Sequence, residues 1–201
     1  MSKQGKMDCG RRRLIVATAA VGGSGVLATL VPFVSSMLPS ERAKAAGAPV
    51  EVDISKLEAG QIMTVEWRGK PVWIIYRTPE MLSTLLTLNN ELSDPDSTRA
   101  EQPAYCKGAP RTIEDKNAAI IVMVGICTHL GCSPTTKFKP GAEEGMTADW
   151  KGGFLCPCHG STFDLSGRVF KNKPAPDNLP IPPYRYLSNT RILIGEDTQE
   201  A

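Results

Sequence analysis

Both histidines of this 201-residue chain and four of its six cysteines fall in two hexapeptides, Cys127-Thr128-His129-Leu130-Gly131-Cys132 and Cys156-Pro157-Cys158-His159-Gly160-Ser161. Each hexapeptide follows an apolar stretch, residues 119–125 for the first and 153–155 for the second. Each hexapeptide is thus expected to end an apolar strand, and two such loops presented side by side would pool their side chains. Each loop delivers one Cys and one His, as Cys127-x-His129 and Cys156-x-x-His159, with twenty-six residues between the two pairs. Two thiolates and two imidazoles make a metal-ligating set. Zinc accepts such a set, but the common zinc-finger spacing places a Cys pair before a His pair, whereas each loop here is mixed. Haem attachment needs C-x-x-C-H, and Cys156-Pro157-Cys158-His159 is one residue short of it. A wholly structural disulfide framework leaves both histidines without a role.

The N-terminal part follows a different rule. Residues 14–38 run for twenty-five positions without a charge. As a helix they reach about 37 Å, enough to cross a hydrocarbon core of about 30 Å with some tilt. Gly22, Gly23 and Pro32 are tolerable in such a helix. Lys3, Lys6, Arg11, Arg12 and Arg13 precede it, which places residue 1 in the cytoplasm and the remainder outside. Consecutive arginines before a Gly/Ala-rich apolar segment also resemble a twin-arginine export signal, a route that carries folded proteins. The alternative is a cleaved Sec signal, for which Ala43-Lys44-Ala45-Ala46 could serve as a cleavage site, but the segment is long for one. Residues 39–49 are small and polar and read as a flexible hinge between anchor and domain. Residues 1–44 hold seven Lys/Arg against two acids, and residues 45–201 hold sixteen against nineteen. The basic excess thus belongs to the anchor, and nucleic-acid binding is excluded as a leading reading.

Residues 50–201 read as mainly β. Extended runs are expected at 50–54, 62–67, 71–77, 119–125, 153–155, 168–170 and 191–195, with Arg68-Gly69-Lys70 turning a hairpin. Thr78-Pro79-Glu80 carries the marks of a helix start. Residues 89–118 are polar and irregular, a surface insertion, and a Pro-rich stretch lies between the last two strands. One helix among several short strands predicts an antiparallel β-sandwich or barrel.

The two hexapeptides resemble those of the Rieske iron–sulfur family, and with the anchor, hinge and Pro-rich segment the resemblance covers most of the chain. More narrowly, it is to the Rieske subunits of bacterial quinol–cytochrome c oxidoreductases. The resemblance implies a β-sandwich with a smaller cluster-binding part at about 125–178, inside a Rieske domain of residues 50–201. It implies one 2Fe–2S cluster, with Cys127 and Cys156 on the inner iron and His129 and His159 on the outer. It implies that Cys132 and Cys158 bridge the loops as a disulfide, which suits an exported domain. Ser161 matches a serine whose hydroxyl bonds a bridging sulfide and raises the potential. Two residues on, where many members carry a tyrosine aimed at a cysteine sulfur, this chain has Phe163. Pro174-Ala175-Pro176 matches a loop that covers the cluster, although Lys173 replaces the usual preceding Gly. Cys9 reads as a reduced bystander, and Cys106 has no evident partner.

The activity that the resemblance implies is electron transfer from quinol to a c-type cytochrome. An imidazole on a metal gives up its outer proton more readily than a free one, so such a centre accepts an electron and a proton together. His159 is implied as the quinol-contacting ligand. The implied partners are cytochrome b and c-type cytochrome subunits, quinol and membrane lipid, in a dimeric complex. The implied place is a bacterial inner membrane, crossed once, with the Rieske domain in the periplasm. The alternative is the small Rieske subunit of an arsenite oxidase, which docks on a molybdenum subunit. Rieske ferredoxins are soluble and normally lack the Cys132 and Cys158 pair.

Overall fold

The structure, a computed structural model, describes residues 9–113 and 117–197, so Lys3 and Lys6 lie outside it. The chain divides into two compact units between Ala45 and Ala46. In the first, helix α1 spans Cys9–Ser35, 27 residues with none buried. Its apolar side chains point outward all round, as a lipid-facing helix requires. Its polar residues do not break this pattern, because their hydroxyls bond back to the helix carbonyls. Thr18 donates to Leu14 O at 2.9 Å and Ser24 to Ala20 O at 2.9 Å.

The segment read as a hinge contains a short helix, α2, at Glu41–Ala46. Alanine, lysine, arginine and glutamate are good helix formers, which a reading based on small size and polarity passes over. Ser40 accepts the Ala43 N–H at 3.2 Å, and Lys44 meets Glu41 at 2.8 Å. Six residues are far fewer than the ~12–15 an isolated helix needs, so α2 is marginal by itself.

The second unit is built from small antiparallel sheets, and among the described residues none closes into a barrel. Strand β1 (Val50–Asp53) pairs with β11 (Arg191–Ile194), which pairs with β10 (Tyr184–Ser188). A second sheet orders β2 (Ile62–Trp67), β3 (Lys70–Tyr76) and β6 (Ile120–Val124). The β2–β3 hairpin turns on Arg68 and Gly69, whose φ values of 50° and 71° match the right-handed twist of the strands. Every residue of β6 is buried, and one core joins both sheets through Ile74, Ile121, Ile192 and Ile194. Helix α3 (Pro79–Thr87) starts where the sequence predicts, with the Thr78 side chain accepting the Met81 N–H at 3.3 Å. The 89–118 insertion is largely irregular, with a two-residue ladder between β4 (Cys106–Lys107) and β5 (Thr112–Ile113).

A third sheet, β7 (Thr135–Lys137), β8 (Gly153–Leu155) and β9 (Thr162–Phe163), carries the second hexapeptide between its last two strands. Residues 168–170, expected as a strand, make just isolated bridges, Val169 to Phe163 and Phe170 to Leu92. The Val169 N–H bonds the Asn178 side chain at 2.8 Å instead of a strand partner. Strand β10 was hidden in the sequence by the Pro-rich run that leads into it.

Candidate metal centre

Strand β6 feeds the first hexapeptide and β8 feeds the second. Between β6 and the first loop stands Gly125, against which the Trp73 ring is packed. A methyl group there would come within 2.2 Å of that ring. Trp73 stacks on Phe154 of β8 at 5.0 Å, so one aromatic pair seats both approaches to the loops.

The two loops make the same turn. The Cys127 N–H donates to Cys132 O at 2.8 Å and Gly131 N–H to Cys127 O at 3.1 Å. The Cys156 N–H donates to Ser161 O at 2.7 Å and Gly160 N–H to Cys156 O at 3.0 Å. Gly131 and Gly160 occupy equivalent places with φ of 84° and 71°, the left-handed backbone that glycine adopts without strain. Each turn therefore buries its first cysteine and lifts its middle residues outward.

Cys132 and Cys158 form a disulfide across the loops. Cys127 and Cys156 remain thiols, both buried. The sulfurs of Cys132, Cys156 and Cys158 lie within 4.8 Å of one another. Two of those three are tied up in the bridge, so the thiolate donors available to a metal are Cys127 and Cys156. His129 is half-buried and His159 exposed, with ring centroids 4.8 Å apart. Leu130, 72% exposed, stands beside them. Burial, chiefly, pushes the Cys127 thiol up. A bare thiolate there is unfavourable, and a bound cation offsets this, so two buried thiols and two outward imidazoles fit a metal centre.

Ser161 is wholly buried. Its hydroxyl accepts the Ala175 N–H at 3.0 Å, which turns its own proton elsewhere. The same hydroxyl lies beside the Cys127 sulfur and favours its charged form. Ser161 thus joins the second loop, the first loop and the Pro segment. Thr128 adds a second link, donating to Asp177 O at 2.6 Å. Nothing in the sequence marked Thr128 for this. Lys173 is exposed, and the residue before it, Asn172, takes a left-handed φ of 57°. Phe163 is wholly buried in β9, opposite Phe154. Cys106 is buried and in no disulfide, its thiol pushed up to about 11 by burial.

Comparison with known proteins supplies the family. Residues 90–184 match the family described as Rieske 2Fe-2S domain. Residues 1–40 match that described as Ubiquitinol-cytochrome C reductase Fe-S subunit TAT signal. The chain is 56% identical over 201 residues to the ubiquinol-cytochrome c reductase iron-sulfur subunit of Allochromatium vinosum, covering 100% of this chain and 95% of that one. It is 44% identical over 182 residues to the protein of the same name from Blastochloris viridis, covering 90% of each. A third relative of that name, from Bradyrhizobium diazoefficiens, is 43% identical over 183 residues, covering 90% of this chain and 92% of its own.

Proposed function

Because this chain belongs to the family of Rieske iron–sulfur subunits of ubiquinol-cytochrome c reductase, we propose that it draws electrons from quinol at a cluster held by Cys127, Cys156, His129 and His159. Its role is electron transfer within that oxidoreductase complex, with a 2Fe–2S cluster as cofactor. Cys127, Cys156, His129 and His159 are the residues that would hold the cluster, which would supply a one-electron carrier there. The observation that carries the assignment is the sorting of donors by the paired turns. Both thiols face the core, both imidazoles face outward 4.8 Å apart, and the extra cysteine of each loop is removed into the bridge.

The chain's own residues set the rest. His159, exposed at the tip, accepts a hydrogen bond from the quinol hydroxyl at its outer nitrogen and then takes the proton. The exposed Leu130 offers the quinol an apolar contact beside it. Ser161 and Thr128 hold the Pro segment against the loops and keep water from the buried sulfurs. The export signal and α1 make this a membrane-anchored, translocated domain. We further assign the N-terminus to the cytoplasm and the domain to the periplasm of a bacterial inner membrane, in a dimeric complex with cytochrome b and a c-type cytochrome. Residues 39–49 act as the tether on which the domain travels between quinol and cytochrome.

Electron paramagnetic resonance of ascorbate-reduced membranes, with identification of the co-purifying haem subunits, tests this reading. A Rieske signal accompanied by b- and c-type haems is expected. A molybdenum-containing partner overturns it. Replacing His159 by cysteine or alanine is expected to abolish the signal, and an unchanged signal removes His159 from the ligand set.

A further inference from the structure

The 89–118 insertion lies outside both hexapeptides, yet a turn within it, residues 94–99, grips the Pro segment from the far side. Asp94 is buried and folds this turn around its own carboxylate. Its Oδ1 accepts the Thr98 N–H at 3.0 Å and the Thr98 hydroxyl at 3.2 Å, and its Oδ2 accepts the Arg99 N–H at 3.0 Å. The Ser97 N–H closes the turn on Asp94 O at 3.2 Å, with Ser97 at a left-handed φ of 53°. Pro95 O accepts from the wholly buried Arg168 at 3.0 Å, and the Arg168 guanidinium is in turn fixed by the buried Asp164 carboxylate at 2.8 Å. The turn is therefore rigid in itself and fastened to the core.

Asn178 plugs into it. The residue is 1% exposed, and its Nδ2 donates to Asp94 O at 2.9 Å and to Ser97 Oγ at 2.7 Å. Its Oδ1 accepts the Val169 N–H at 2.8 Å. Both amide protons and the carbonyl oxygen are used, which fixes the side chain in one orientation. The nearby Arg99–Asp177 pair is 3.9 Å long and about half exposed, so it adds little. From Asn178 the chain runs back through Asp177 and Pro176 to Ala175. Proline rings fix φ at 174 and 176, and each proline restricts the residue before it, so Pro174-Ala175-Pro176 is a stiff strut. Its Ala175 N–H donates to Ser161 Oγ at 3.0 Å, and the Asp177 carbonyl, in the same peptide group as the Asn178 nitrogen, accepts the Thr128 hydroxyl at 2.6 Å. One end of the strut sits in the insertion and the other against the two loops.

We propose that Asn178 is a positioning residue for the metal centre, holding the Pro segment where the Ala175 N–H orients the Ser161 hydroxyl. This rests on the reading of Cys127, Cys156, His129 and His159 as cluster ligands. A hydroxyl that accepts from Ala175 turns its own proton away from that bond, and the Cys127 sulfur lies beside it. Released from Ala175, the hydroxyl rotates, and the reduced centre, richer by one negative charge, loses a donor for part of the time. The insertion turn is then the fixed point against which the cover of the centre is set.

Redox titration of the paramagnetic signal, in membranes carrying the full-length protein, tests this. Asn178→Ala is expected to shift the reduction equilibrium about threefold toward the oxidised form, a fall of about 28 mV and part of the value of one hydrogen bond. Because the effect runs through Ser161, the double variant Asn178→Ala with Ser161→Ala is expected to match Ser161→Ala alone. Ile192→Ala opens a cavity in β11, in a different sheet, and is expected to lower the unfolding temperature with the potential unchanged. Should Asn178→Ala retain no cluster, Ser97→Ala decides: it removes one of the two insertion acceptors and leaves the Val169 bond, and a smaller fall is expected. A parental or raised potential in the variant so read, additive shifts in the double variant, or an equal shift in Ile192→Ala overturns the inference. A parent without a Rieske signal overturns the ligand reading and this inference with it, whereas a parental potential in Asn178→Ala leaves the ligand reading standing.

Discussion

Ser161 and Phe163 stand two residues apart and face opposite tasks. The Ser161 hydroxyl accepts from Ala175 and lies beside the Cys127 sulfur. A hydrogen bond is worth about 1 kcal/mol, tenfold in an equilibrium is about 1.4 kcal/mol, and a one-electron couple moves about 59 mV per tenfold. Ser161→Ala is therefore expected to lower the reduction potential by about 40 mV or more. It also orphans the buried Ala175 N–H and costs about 1–3 kcal/mol of stability. Protein-film voltammetry and thermal unfolding read the two effects separately. Phe163→Tyr adds a hydroxyl at the position where the family resemblance implies a tyrosine aimed at a ligand sulfur, and it is expected to raise the potential by about 40 mV. A fall, or no change, means that the ring edge at this position does not face a sulfur. Ser161 was expected as a donor only through the family resemblance of its hexapeptide, since Gly160-Ser161 by itself reads equally as a turn. Its second bond, to a backbone N–H fourteen residues on, was not, since nothing in local spacing announces a contact between loops.

At the scale of elements, the parts that the sequence announced are those whose cause is local. The β2–β3 hairpin is set by two extended apolar runs around a two-residue turn, and α3 by its Thr-Pro-Glu start. Strand β10 went unseen because Pro182 and Pro183 extend the appearance of a loop to its first residue. The buried arginines were unreadable for a different reason: Arg77, Arg111 and Arg168 look like surface charges until the turn from Asp164 to Arg168 is seen to gather them. The loops themselves depend on what seats them. Gly125→Ala drives a methyl group into the Trp73 ring, which is 6% exposed and has no room to retreat. Overpacking of this kind costs about 1–3 kcal/mol. Because Gly125 stands just before Cys127, cluster retention is expected to fall with stability, measured as iron per protein after purification. The disulfide closes a separation of 26 residues, for which loop-closure entropy gives about 3.5 kcal/mol. Cys132→Ser is expected to assemble a cluster that is lost faster and has a shifted potential, followed as decay of the paramagnetic signal. A signal as long-lived as the parent's shows that the hydrogen-bonded turns hold the loops without the bridge.

For the molecule as a whole, the short helix α2 lies inside the proposed tether, and a six-residue helix melts and reforms easily. Prolines at Ala45, Ala46 and Gly47 stiffen this stretch and are expected to slow quinol-to-cytochrome turnover several-fold while leaving the paramagnetic signal intact. Unchanged turnover argues for a domain that does not travel. The position of the bridge also sets a timetable for manufacture. The twin-arginine signal marks a cargo folded before it crosses, in a compartment that keeps thiols reduced. A cluster installed on that side would enter while Cys132 and Cys158 are still separate thiols, with the paired turns and the Ser161 and Thr128 links holding the loops through the crossing. Cys158 is exposed and Cys132 half-exposed, so an oxidant on the far side can reach them without reopening the fold. Maturation ends there, with a covalent seal placed from outside on a centre already built within.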